Sequence, residues 1–155
     1  MAGKVHIEVT PDGTEEIIIR CASIGPEELR LKAAIERELS PEGQSLALEI
    51  GENEYIVPVS ELLFFESDGS RTAAHTRNRM YYTPLKLYEL ENVLPGSFMR
   101  VSKSCVLNIN AVNVLQKDIT GICRVGFKNS EKAVYVSRMY YKPFRERLFE
   151  LRKVK

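Results

Sequence analysis

The sequence has few of the residues from which disulfide frameworks, metal centres and catalytic sites are built. Its three cysteines, Cys21, Cys105 and Cys123, form no CxxC pair and cannot all be disulfide-bonded within one chain. Its two histidines, His6 and His75, lie far apart with no ligand spacing around them, which argues against a metal site. No apolar run approaches the roughly 20 residues that a membrane span requires. The N-terminus MAGKVHIEV lacks the apolar core and small-residue cleavage site of a secretory signal. These absences point to a reduced, cytoplasmic protein without stable membrane insertion. Cys105 and Cys123 then read as small buried apolar residues rather than a redox pair.

Catalytic signatures are missing as well. There is no GxSxG elbow, no HExxH, no Walker loop and no GxGxxG after a strand. His75, on the alternating segment TAAHT, reads as a packed structural histidine rather than a base. Glu66, ending LLFFE, reads as a strand-end or loop-anchoring carboxylate. An enzyme is not expected, and nothing calls for a cofactor or a metal.

What is present is a strong charge asymmetry. With 155 residues, 44% apolar and 28% charged, the chain suits one full-sized globular domain with a small extension. Its net charge of +1 hides two opposed halves. Residues 1–97 carry 9 Lys and Arg against 17 Asp and Glu, a net of −8. Residues 98–155 carry 13 against 4, a net of +9. Such polarity is a mark of a nucleic-acid or acidic-membrane face, unless the halves interleave and neutralise each other.

Periodicity predicts mainly β structure, α+β overall, with many short strands and little helix. VHIEV and IIIRC read as strands flanking the turn TPDGTE, and PEELRLKAAIEREL as a helix with Pro26 in its first position and Leu31, Ile35 and Leu39 as a buried stripe. The breaker cluster SPEG then separates an N-terminal extension, residues 1–45, from a main domain, residues 46–155. In that domain LALEI, YIVPV, LLFFE, TAAHT and MYYT read as strands. TPLKLYELENVLP reads as a short helix capped by Thr83, with Pro84 in its first position and Leu87, Leu90 and Leu94 on one face. RVSKSCVLNINAV follows as a buried strand with a polar, cationic opening, then NVLQK, CRVGFK and KAVYVS. The KNSE between the last two suits a hairpin turn. A closing helix over YYKPFRERLFELRK carries Phe144, Leu148 and Leu151 at helical spacing.

Four stretches carry a resemblance when taken in order: VPVSELLFFESDGSRTAAHT, YYTPLKLYELENVLP, SFMRVSKSCVLNINAV and FKNSEKAVYVSRMYYKPFRERL. From about Ile56 to Leu148 the chain resembles the LytTR (LytR/AlgR-type) DNA-binding domain of bacterial transcription regulators. Residues 1–45 resemble the extension of stand-alone members that lack a receiver domain. The resemblance implies an elongated antiparallel β fold of three small sheets with short helices, beside a small strand/helix extension. It further implies loops entering the major groove at direct-repeat sites.

In the family, contacts come from the loop after the FFES-type strand, the segment matching RVSKS and the arginine after the last strand. Carried onto this sequence, these become Ser70 and Arg71, then Ser102, Lys103 and Ser104, and lastly Arg138 followed by Lys142. An arginine can give guanine two parallel hydrogen bonds, while lysine and serine suit phosphates. Asp68 in the first loop would repel a phosphate. Lys142, Arg145 and Arg147 would extend the positive field, and the acidic residues 1–66 should face away from DNA. The implied function is a sequence-specific, non-enzymatic transcription regulator without cofactor. Its partner is double-stranded DNA, bound as a homodimer or by two protomers per operator. Residues 1–45 are a candidate dimerisation element, and a regulatory protein is a further candidate partner. The alternative is a protein–protein interaction module of the same fold with DNA binding weak or lost.

Overall fold

The computed structural model describes residues 4–13, 16–39 and 44–155, the side chain of Arg37 excepted. The SPEG cluster and the close of the TPDGTE turn lie outside these residues. The chain divides into two compact units, Met1–Ile35 and Glu36–Lys155.

In the first unit the expected strands are absent. Val5–Val9 and Ile17–Cys21 run without ladder partners, and Val5, Ile7 and Val9 are almost fully exposed. Alternation reports a chain that could line one face of a sheet; it cannot supply the neighbouring strand. Helix α1, Pro26–Leu39, starts as the sequence predicts, with Glu27 and Glu28 in its first turn. The Glu28 carboxylate accepts from the Gly25 backbone N–H at 3.0 Å, satisfying a helix-start donor. Its stripe, however, is not buried: Leu31 and Leu39 are exposed and Ile35 is half-buried.

The second unit is antiparallel β structure throughout its ten strands. They are β1 (Ser45–Ile50), β2 (Asn53–Pro58), β3 (Leu62–Ser67), β4 (Thr72–Thr76), β5 (Met80–Thr83), β6 (Phe98–Ser102), β7 (Cys105–Asn108), β8 (Val112–Lys117), β9 (Cys123–Phe127) and β10 (Ala133–Val136). They form two sheets, of order β2-β1-β5-β4-β3-β7-β6 and β10-β9-β8, where three were expected. The reason is local: Glu49 of β1 pairs with Tyr82 of β5, and this one register position fuses the β1–β2 hairpin to the larger sheet.

The core lies on both faces of β3 and β7, which explains why LLFF and CVLN are continuous apolar runs rather than alternating ones. Phe64, Cys105 and Leu107 pack with the small sheet and helix α3 (Arg138–Leu151), through Val125, Val136, Phe144 and Leu148. Phe65 and Val106 point the other way, onto Leu48 and the short helix α2 (Leu87–Val93), whose Leu87 and Leu90 are buried together with Leu94 just beyond it. Leu151 is exposed, in contrast to Phe144 and Leu148.

Two local expectations are corrected. Thr83 still pairs with Thr72, so the backbone stays extended through it and α2 starts only at Leu87. The Thr83 hydroxyl accepts from Leu85 N–H at 3.2 Å, and the Lys86 N–H is taken by Glu89 at 3.1 Å. The segment Arg100–Val112 is a hairpin rather than one strand. Ser102 pairs with Cys105 across a turn of Lys103 and Ser104. Between β9 and β10 the left-handed position is taken by Asn129 (φ 56°), which removes any need for glycine at Ser130. No described helix is long and apolar enough to cross a membrane.

Candidate nucleic-acid interface

Two turns meet at one end of the larger sheet because of strand direction, and the start of helix α3 joins them there. β3 runs into the turn at residues 68–71, and β7 leaves the turn at residues 103–104. Glu66 pairs with Cys105 in antiparallel register, so both turns lie at the same end. The Ser67 N–H donates to the Ser104 carbonyl at 2.9 Å and ties them together. At the start of α3 the Ser137 N–H donates to the Val101 carbonyl at 3.0 Å, which fixes Arg138 beside the same hairpin. Thus the structure brings together all the segments singled out in the sequence.

The first turn is organised by Asp68. Its Oδ1 accepts from Ser70 N–H (2.9 Å), Arg71 N–H (2.9 Å) and the Ser70 hydroxyl (2.8 Å). The backbone N–H of Arg71, then those of Ser70, hold this carboxyl down to about 2, so it is ionised at neutral pH. The Ser70 proton is therefore engaged within the loop. Arg71 is exposed, and its guanidinium lies 3.4 Å above the Tyr82 ring. Tyr82 is directly opposite Ala73, so Arg71 is its diagonal neighbour on the same face. Ser70, Arg71 and Tyr82 line a cleft of about 260 Å³ together with Glu49 and Lys86.

In the second turn Arg100 acts as the clamp. It donates to the carbonyls of Ser102 (2.8 Å) and Lys103 (2.5 Å) and pairs with Glu91 at 3.1 Å. Ser102 and Ser104 hydrogen-bond across the turn through the Ser104 N–H, 3.2 Å from the Ser102 hydroxyl. Lys103 is exposed, and no carboxylate among the described residues pairs with it.

Arg138 is exposed at the first position of α3, with Lys142 exposed one turn on. No carboxylate among the described residues pairs with either. A Cβ built on Gly121 would lie 4.0 Å from Arg138 Nε, which sets the guanidinium over the β8–β9 turn. That turn repeats the design of the first: Asp118 Oδ1 accepts from Thr120 N–H at 2.9 Å and Ile122 N–H at 3.2 Å. The other expected cations diverge. Arg145 lies over Phe149, while Arg147 donates to the Gly96 carbonyl at 3.2 Å. Nor do the acidic residues all avoid this end, since Glu49 borders the cleft and Glu66 immediately precedes the first turn.

Sequence reading missed Tyr82, Arg100 and Lys117, whose ammonium is 4.4 Å from the Tyr141 ring centre. It also missed the cluster behind the first turn. His75, stacked on Phe64 at 4.3 Å, meets Glu66 at 2.8 Å through Nε2 and Lys132 at 3.2 Å through Nδ1. Lys132 donates in addition to the carbonyls of Thr76 (2.9 Å) and Arg79 (2.8 Å), linking the two sheets. Burial pushes the His75 pKa down, outweighing the Glu66 hydrogen bond. Cys105 and Cys123 are both buried, and burial followed by the charge of Glu66 pushes the Cys105 thiol up to about 12, which makes it unreactive.

These features define a class: a mostly antiparallel β domain that presents cations from turns at one end of a sheet, with no two helices consecutive among its described elements. The LytTr DNA-binding domain model matches residues 52–149, well over half of the chain, and the chain belongs to that family. Two proteins of Staphylococcus aureus, from strains RF122 and NCTC 8325, are each 35% identical to it over 94 residues. Both bear the description "uncharacterized HTH-type transcriptional regulator". The matched stretch spans 61% of this chain and 63% of either relative. Among solved structures, the LytTr DNA-binding domain of a putative methyl-accepting/DNA response regulator from Bacillus cereus superimposes with a TM-score of 0.62 at 25% identity. That match covers 67% of this chain and 95% of the other.

Proposed function

We propose that the protein is a sequence-specific transcription regulator of bacterial cytoplasm that reads duplex DNA with the turns at residues 68–71 and 102–104 and with Arg138. The observation that supports this reading is the pair of backbone hydrogen bonds, Ser67 to Ser104 and Ser137 to Val101, which hold three exposed cationic segments at one sheet end. A major groove about 12 Å wide admits a two-stranded ribbon, so hairpin tips of this kind fit it without a helix. In this reading Arg138 reads guanine through paired hydrogen bonds, Arg71 reads a second base, and Lys103 and Lys142 hold phosphates. Two protomers occupy direct-repeat sites. Residues 46–155 form the reading domain, and residues 1–45 are a separate extension.

Selection from randomised duplex tests this. The wild type should enrich a repeated motif, and Arg138→Ala should lose discrimination worth about 1–3 kcal/mol at one position of each repeat. A protein that enriches nothing at low salt sinks the reading and leaves the protein-interaction module in its place.

A further inference from the structure

Among its described residues the first unit has no core. None of the described residues before Leu48 is buried. Val5, Ile7 and Val9 are 99%, 94% and 90% exposed, and Ile17, Ile18, Ile24, Leu29 and Leu31 are exposed with them. Ordering such a segment costs about 1–2 kcal/mol of backbone entropy per residue, and here no apolar burial offsets it. A lone pair of strands would be marginal even if the two segments met each other. The unit therefore needs a partner that supplies both a β ladder and apolar cover.

We infer that the partner is a second copy of this chain, joined by antiparallel pairing of two Val5–Val9 segments centred on Ile7. The pattern of this segment is complementary to itself. Antiparallel pairing about Ile7 sets Val5 opposite Val9 of the other copy and Ile7 opposite its own equivalent, all on one face. On the other face it sets His6 opposite Glu8 twice over, an imidazole against a carboxylate in each symmetric pair. A two-fold interface requires this kind of correspondence, in which residue i meets j and j meets i. Pairing one residue out of register would turn the valines onto the polar face. The area also suffices. Eight exposed apolar side chains at roughly 100 Å² each reach the roughly 800 Å² per partner that a stable pair buries. The apolar side chains of α1 and of residues 17–24 would then cover the shared ladder.

This inference deepens the assignment of residues 1–45 as an extension, and it is tested on the full-length protein without DNA. A chain that selects no operator could still dimerise, and a chain that selects one could still be monomeric, so the two readings fail separately. Sedimentation equilibrium of the wild type should give a dimer. Ile7→Asp should weaken it by more than about tenfold, because it places two carboxylates on the axis and removes buried apolar surface. His6→Glu sets like charges opposite each other and should weaken the dimer several-fold, and adding Glu8→Lys should restore it. The thermal transition of the second unit controls for folding, since Ile7 contributes nothing to that core. A spin label on Cys21, the exposed thiol of three, should report a defined intermolecular distance that Ile7→Asp abolishes. A wild type that stays monomeric overturns the inference, as does a dimer indifferent to Ile7→Asp. Failure of Glu8→Lys to rescue His6→Glu overturns the register.

Discussion

Arg71 and Arg138 carry the same guanidinium in different settings, and the difference decides what each can do. Arg138 projects from the first position of a helix, with no carboxylate partner among the described residues. Arg71 is held over Tyr82, its guanidinium carbon 3.4 Å from the ring centre, so its position is set before any ligand arrives. A guanidinium held over a ring still has N–H donors to offer, and ordering it in advance lowers the entropy lost on binding. Tyr82 is accordingly a positioning residue. Such a contact is worth about 0.5–1 kcal/mol at an exposed site. With Arg71 and Arg138 reading bases as proposed, Tyr82→Leu should relax preference at the position assigned to Arg71 by roughly two- to fivefold, leaving the position assigned to Arg138 unchanged. A double-mutant cycle checks the coupling: Tyr82→Leu should add almost nothing in an Arg71→Ala background. Full additivity would show that the ring acts independently of the guanidinium.

The elements were legible where alternation and burial agree, and illegible where a side chain from elsewhere decides the path. The strands of both sheets follow from their apolar patterns, by alternation where one face is buried and by short continuous apolar runs in β3 and β7, which are covered on both faces. The hairpin inside RVSKSCVLN was not legible. Its turn depends on Arg100 reaching the carbonyls of residues 102 and 103, and no local propensity encodes that. The strand pattern of VHIEV misled for the opposite reason, since the pattern is real and its partner is missing. At the interface, Lys103 and Arg138 lie within local motifs. Tyr82 joins Arg71 only through the β4–β5 register. The His75 cluster is another product of register, and it stitches the loop between β9 and β10 to β4. The neutral imidazole suits it, donating from Nε2 to Glu66 and accepting at Nδ1 from Lys132. A proton on Nδ1 would face the Lys132 ammonium. Because burial lowers the folded-state pKa of His75 below its ordinary 6.5, the unfolded chain takes up the proton first and acid favours unfolding. Stability in urea titrations should hold above about pH 6.5 and decline as pH falls below it, until the folded-state pKa is passed. Lys132→Met removes the charge that adds to burial in depressing this pKa, so it should shrink the decline while lowering stability at pH 8. A stability that rises between pH 6.5 and 5.5 would contradict this assignment.

For the whole molecule, the opposed charges of residues 1–97 and 98–155 matter through what each contributes at the sheet end that carries the two turns and the start of α3. Lys103, Arg138 and Lys142 come from the basic part, whereas Arg71 comes from the acidic one and sits beside Asp68 and Glu49. Net charge by segment therefore gives the right sign for most of this surface and the wrong sign for its first loop. The ionised Asp68 spends its Oδ1 on the loop's own donors, a local role that needs a carboxylate or its amide rather than a phosphate-binding cation. Affinity for a duplex should then fall linearly in a plot of log K against log salt, by about 0.9 for each phosphate neutralised. Lys142 is exposed with no carboxylate partner among the described residues and stands one helical turn from the proposed base-reading Arg138, which suits a phosphate contact. Lys142→Ala should reduce the steepness of that plot by about one and weaken binding to all sequences alike. Arg138→Ala should change the selected motif in addition to lowering affinity. Binding titrations at four salt concentrations, on the selected site and on a scrambled duplex, separate these outcomes. An unchanged slope with an altered motif in Lys142→Ala would move that lysine from the backbone to a base, and an unaltered motif in Arg138→Ala would remove the base contact on which the functional reading depends.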